Sequence, residues 1–148
     1  MRRAALLLAL SGCSGAPPAA ADAARGVTEA VMGMYGAFQK RDLAKVGEFM
    51  TGDSTCYDAT RSVLLVGRKA VLDHFGAILA EHKADQPWQS SIDGMDVVAR
   101  GDLAYATYLV RTSMGGVHAQ AAVTHVFRNV GGRWLAIHLH RSWNVQPR

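Results

Sequence analysis

The run VTHVFRNVGGRWLAIHLHRSW, Val123 to Trp143, decides the fold. Two stretches of alternating, β-branched and aromatic character flank Gly131-Gly132, the two-residue signature of a tight hairpin turn. The same run carries three of the chain's six histidines, His125, His138 and His140. Along a strand, side chains point alternately to opposite faces, so Trp134, Ala136, His138 and His140 share one face, and Leu135, Ile137 and Leu139 share the other. A turn centred on the two glycines then sets His125 opposite His138, with both imidazoles on the Trp134 face.

Upstream of this hairpin the pattern predicts two further strands, Trp88 to Ala99 and Leu103 to Ser113, and starts the hairpin's first strand at Val117. The separators Arg100-Gly101-Asp102, Met114-Gly115-Gly116 and Val130-Gly131-Gly132 are tight-turn sequences, which makes the four strands an antiparallel meander. Before the meander the period is helical. Val31, Met34, Tyr35 and Phe38 mark a helix from Val27 to about Arg41, and Asp42 caps a short second helix. Two short extended runs follow, Thr55 to Asp58 and Val63 to Val66, and then a third helix from Arg68 to about Glu81. Helices first and a meander afterwards is an α+β pattern, a curved sheet with helices on its concave side.

The N-terminal stretch MRRAALLLALSGC reads as a leader. Its apolar run, Ala4 to Leu10, is too short to span a bilayer, and Leu10-Ser11-Gly12-Cys13 resembles the bacterial lipoprotein cleavage box, in which the cysteine becomes the lipidated first residue. A plain secretory leader cut near Ala19-Ala20-Ala21 is the alternative. The expected organisation is thus a leader over residues 1–13, a flexible tether over 14–25, and one domain over 26–148. The protein is expected to be exported and held by its lipid in the cell envelope, on the periplasmic side. With Cys13 lipidated, Cys56 has no partner for an intrachain disulfide, and its place in a strand predicts a buried, inert thiol.

The element order, together with RDLAKVGEFM, VLLVGRKAVLDHF, GDLAYATY and the final hairpin, resembles the nuclear transport factor 2-like (NTF2-like) superfamily over about Val27 to Trp143. Within it the chain is similar to the SnoaL-like and DUF4440-type small proteins and to the association domain of calcium/calmodulin-dependent kinase II. The resemblance implies a cone-shaped α+β fold whose curved sheet wraps three N-terminal helices, with the Trp134 face lining the cone. The Leu135, Ile137 and Leu139 face has no second layer over it in such a fold, so a homodimer through the convex face of the sheet is expected.

The fold hosts isomerases, cyclases, dehydratases, ligand binders and oligomerisation modules, so function must be read from the site. His125, His138, His140, Arg141, Tyr105 and Thr107 are the expected lining of a small-molecule pocket. In the kinase association domain the cone mouth carries arginines able to hold a small carboxylate; at the matching positions this chain has His125, Thr107 and Arg141. Arg141 is therefore the expected anchor, since its planar fork fits a carboxylate. A SnoaL-like or ketosteroid-isomerase-like enzyme would instead need a base with a raised pKa and a hydrogen-bond donor, for which Asp58 and Tyr35 are candidates, or a pocket histidine as base. A third possibility is an accessory module with a vestigial cavity. A metal reading of His138 and His140 needs a third ligand, which His125 could supply, and an open position; the resemblance implies no metal site, and neither metal nor cofactor is expected. The formal charge of +4 falls by two if Arg2 and Arg3 leave with the leader. With no basic run in the sequence, nucleic acid is not an expected partner.

Overall fold

A computed structural model describes residues 20–58, 62–82, 85, 88–114 and 117–145. Helix α1 spans Ala20–Gln39, α2 Leu43–Gly47 and α3 Arg68–Ala80; the strands are β1 Met50–Asp58, β2 Val63–Val66, β3 Gln89–Arg100, β4 Leu103–Met114, β5 Val117–Val130 and β6 Arg133–Val145. They form one six-stranded sheet in the order β2-β1-β6-β5-β4-β3. The β1–β6 pair is parallel and every other pair antiparallel. This is the expected α+β meander, with β1 and β2 extending it beyond β6.

Helix α1 starts at Ala20, inside the stretch whose composition suggested a tether. Alanine is the best helix former, Asp22 lies in the favourable first turn and pairs with Arg25 at 2.9 Å, and Ala23 is fully buried at the head of the stripe Val27, Ala30, Val31, Met34 and Phe38. Small residues at this point are packing surface. Cys13 and the rest of the leader lie outside the described residues.

Helix α1 gives way to α2 through Arg41, which takes a left-handed conformation (φ 59°) and donates to the carbonyls of Leu79 and His82. Asp42 caps α2 as its sequence position suggests, its Oδ1 accepting from Lys45 N at 2.9 Å. That helix is shorter than its apolar spacing implies: Met50 already belongs to β1. Packing of α1 against β3, β4 and β6, and of α3 against β1 and β2, closes a core that includes Phe75, Phe127, Trp134 and Leu139.

Gly131 (φ 59°) and Gly132 (φ 86°) both adopt left-handed backbone, the primed turn a two-residue hairpin requires. Pairing runs Val130–Arg133, Asn129–Trp134, Arg128–Leu135 and Phe127–Ala136, as the turn dictates, and then slips by one residue. Ile137 is extra, a β-bulge, and Val126 pairs with His138, His125 with Leu139 and Thr124 with His140. A one-residue slip exchanges the faces of everything beyond it. Trp134 and Ala136 point inward, and past the bulge so do Leu139, Arg141 and Trp143, whereas His138 and His140 turn outward. The expected pairing of His125 with His138 is therefore corrected to His125 with Leu139. Leu139 belongs to the core and not to a convex apolar face.

Candidate functional site

Inside the cone, four polar side chains meet in otherwise apolar surroundings. Tyr108 projects inward from β4, His125 from β5 and Arg141 from β6, while Tyr35 enters from α1. Tyr108 Oη lies 2.8 Å from His125 Nδ1, and the Tyr35 ring packs edge-on against Tyr108 at 6.0 Å between centroids. Arg141 lays its guanidinium over the Phe75 ring, 5.0 Å from its centre, a cation–π contact that holds the charge without an acid. Three atoms of the group are buried without a well-formed hydrogen bond: Tyr35 Oη (whose hydroxyl neighbour is that of Tyr108), His125 Nε2 and Arg141 Nε. Buried polar atoms are nearly always satisfied, so three such atoms in one interior need a reason.

The electrostatics follow from burial. Exclusion from water opposes the charged imidazolium, and the Arg141 guanidinium and the His138 ring add to this, so the His125 pKa is pushed down to about 3. Burial likewise pushes the Tyr108 phenol well above its usual range, with Tyr35 close by adding to the rise. At neutral pH His125 is thus a neutral imidazole and Tyr108 an un-ionised phenol.

A cleft bordered by Tyr35 and Arg141 of this group, but not by Tyr108 or His125, leads outward between Met34, Phe38, Phe75, Trp88 and Trp143. Its volume is about 20 Å³, roughly enough for one water molecule. Larger depressions lie on the opposite face of the sheet. One of about 470 Å³ is bordered by Thr107, Leu109, Thr124, His140 and Ser142; another of about 520 Å³ is bordered by Ser91, Arg111, Ser113, His118 and Gln120.

Of the six residues expected to line the pocket, only His125 and Arg141 are inside. Tyr105 and Thr107 alternate with buried Ala104, Ala106 and Tyr108 on β4, and so face outward. His138 and His140 are outside because of the bulge, where Tyr57 packs against both rings. The three hairpin histidines do not converge, and among the described residues no group of three or more His, Cys, Asp or Glu side chains is arranged to hold a metal ion. Of the two enzyme candidates, Tyr35 is in the interior group. Asp58 ends β1 opposite Val63, and its side chain lies outside the described residues. Cys56 is buried in β1 as expected.

Sequence reasoning missed Tyr108, Phe75, Trp88 and Trp143 as site residues. Tyr108 was legible: in Ala104-Tyr105-Ala106-Thr107-Tyr108 the two tyrosines fall on opposite faces, and the one in phase with the small buried residues is Tyr108. Arg141 was expected from the family resemblance, although simple alternation would have turned it outward; Trp143 could be placed only by knowing of the bulge.

The outer face forms continuous rows across the sheet. One runs Val66, Thr55, His138, Val126, Tyr105 and Val98, one residue from each strand. The next includes Leu64, Tyr57, His140, Thr124 and Thr107 before reaching Asp96 at β3. Tyr57, Leu64, Val66, Tyr105 and Leu109 are exposed there. No described element covers them, and among the described residues no helix is long and apolar enough to cross a membrane.

Comparison with solved structures finds the same architecture. An NTF2-like protein from Pseudomonas putida superposes with a TM-score of 0.76 at 23% identity, over 84% of this chain and 89% of that one. The Aln2 protein of a Streptomyces species gives 0.74 at 14% identity, over 85% and 93%. A CaMKII hub homology domain from Chlamydomonas reinhardtii gives 0.69 at 23% identity, over 82% and 98%. No curated protein sequence matches the chain. With the meander, the three helices and the cone interior in place, the match of residues 27–146 to the SnoaL-like domain identifies the chain as a member of the SnoaL-like family within the NTF2-like fold.

Proposed function

We propose that this protein binds a small organic molecule presenting a carbonyl or carboxylate oxygen to the interior group of Tyr35, His125 and Arg141. The observation that carries this reading is the trio of buried atoms, Tyr35 Oη, His125 Nε2 and Arg141 Nε, left without well-formed hydrogen bonds in one apolar interior. All three can donate to the same acceptor, His125 through Nε2–H when its Nδ1 accepts from Tyr108 Oη. Arg141 adds a charge that no acid neutralises in any contact described, and Phe38, Phe75, Trp88 and Trp143 supply aromatic walls. The cleft as it stands admits little more than water, so entry of the ligand requires the rim residue Trp143, 37% exposed, to move aside.

A second reading, proton-transfer or hydration chemistry, draws on the Tyr108–His125 hydrogen bond, which orients the ring and leaves Nε2 bare. Burial argues against it. An imidazole whose conjugate acid has a pKa near 3 is a poor base at neutral pH, so we favour binding. Native mass spectrometry of the purified full chain tests the choice: a co-purifying small mass is expected, and Arg141→Leu should release it. Equal retention by both proteins would overturn the assignment of the site.

Two further features belong to the same proposal. Pairing of two copies through the outer face of the sheet would cover Tyr57, Leu64, Val66, Tyr105 and Leu109, an apolar array of the kind that marks an interface. The leader sequence supports export, with Cys13 as the lipidated mature terminus.

A further inference from the structure

His138 and His140 were sorted to the outside by a bulge, and nothing in the proposed ligand site uses them. They sit two residues apart on one strand face, and both rings pack against Tyr57, with centroids 6.0 and 5.7 Å away. The Thr55 hydroxyl lies 3.3 Å from the Ile137 carbonyl and 2.8 Å from His138 Nδ1. A hydroxyl has one proton. With that proton donated to the carbonyl, Thr55 accepts from His138 Nδ1–H, which leaves the Nε2 lone pair free and the ring fixed. This is how metal-ligating histidines are held: one nitrogen tied to a neighbouring acceptor, the other on the ion. His140 is exposed, and its one described hydrogen bond, to Ser142 Oγ, is long at 3.4 Å.

We propose that His138 and His140 chelate a divalent first-row transition-metal ion on the outer face of the sheet, with Thr55 as the residue that positions His138. Two imidazoles and no carboxylate or thiolate select the borderline ions that favour nitrogen, copper, nickel and zinc, over magnesium or calcium. The open depression beside His140 leaves the remaining coordination positions to water in a single copy.

Zn²⁺ titration of the full chain carrying Cys13→Ser, which removes the leader thiol, tests this by calorimetry alongside histidine ¹⁵N NMR. Binding is expected, with the His138 and His140 resonances moving together. His138→Gln and His140→Gln should each abolish it, and Thr55→Val, which keeps both ligands, should weaken it about tenfold or more. His140 is exposed, so its variant is safe for the fold should the His138 variant not be. Unchanged affinity in both histidine variants would mean that the ion goes to His74, His82 or His118, and the proposal would fall. It would fall equally if Zn²⁺ left the resonances of both rings unmoved. Sedimentation of the metal-free protein reports on pairing separately, so either idea can fail without the other.

Discussion

The buried His125 makes the fold acid-sensitive in a defined window. Its pKa is about 3 in the folded chain, against about 6.5 for a solvated imidazole in the unfolded one. The folded value is the lower, so as pH falls the unfolded state takes up the proton first and stability drains away. The contribution is fully present above pH 6.5 and is lost progressively between there and pH 3. Each pH unit inside that window is worth about 1.4 kcal/mol per proton, so this one side chain should cost about 2 kcal/mol between pH 7 and pH 5. That is a large share of a typical domain's stability. His138, also shifted down, acts in the same direction. The assay is urea unfolding at pH 7, 6 and 5 on the wild type and on His125→Gln, whose amide does not titrate. The variant should be less stable than the wild type at pH 7 and should lose about 2 kcal/mol less on going to pH 5. Parallel pH profiles for the two proteins would refute the reasoning, because His125 would then titrate in the fold as a solvated imidazole does.

Removing the Tyr108 hydroxyl strands His125 Nδ1 in the core, so Tyr108→Phe should cost about 1–3 kcal/mol in denaturant unfolding. Gly26→Ala, which in an exposed helix would stabilise, should here destabilise by about 1–3 kcal/mol, since the added methyl would lie 2.6 Å from Cδ1 of the buried Trp134; thermal melting reads the sign. Tyr105→Glu places a charge in the outer-face row and should shift sedimentation from dimer to monomer, whereas Leu135→Glu, beyond that row, should shift it less. Cys13→Ala should release the protein from membranes and remove the acyl mass found on the wild type; a wild type without acyl mass would leave the plain secretory leader.

The turn and the order of the four meander strands were readable because they rest on strong local signals, two glycines in left-handed backbone and a period of two; the parallel seat of β1 beside β6 was not among them. The capping aspartate and the inner stripe of α1 were readable for the same reason. The face of each residue past Ala136 was not. A bulge is one residue in a β-branched run, and nothing in Ala136-Ile137-His138-Leu139 distinguishes an inserted isoleucine from a paired one. That single slip moved His138 and His140 out of the expected pocket, brought Trp143 in with Leu139, and put Arg141 on the inner face that the resemblance, but not plain alternation, assigned it. Thr107 and Tyr105 failed differently: their own alternation with Ala104, Ala106 and Tyr108 contained the answer, but two alanines are weak markers of an interior face. The alanine-rich start of α1 was misread because low complexity and high helix propensity look alike when the packing partner is distant in sequence.

The central claim is that Tyr35, His125 and Arg141 point their unsatisfied atoms at one ligand. The most direct measurement is side-chain NMR of Arg141 Nε–H and His125 Nε2 during titration with a panel of small ketones and carboxylates. At least one compound should shift both signals together, and should lose that effect in Tyr35→Phe. Compounds that perturb only the outer-face residues, or shift one of the two signals without the other, would show that the three atoms do not form a common site.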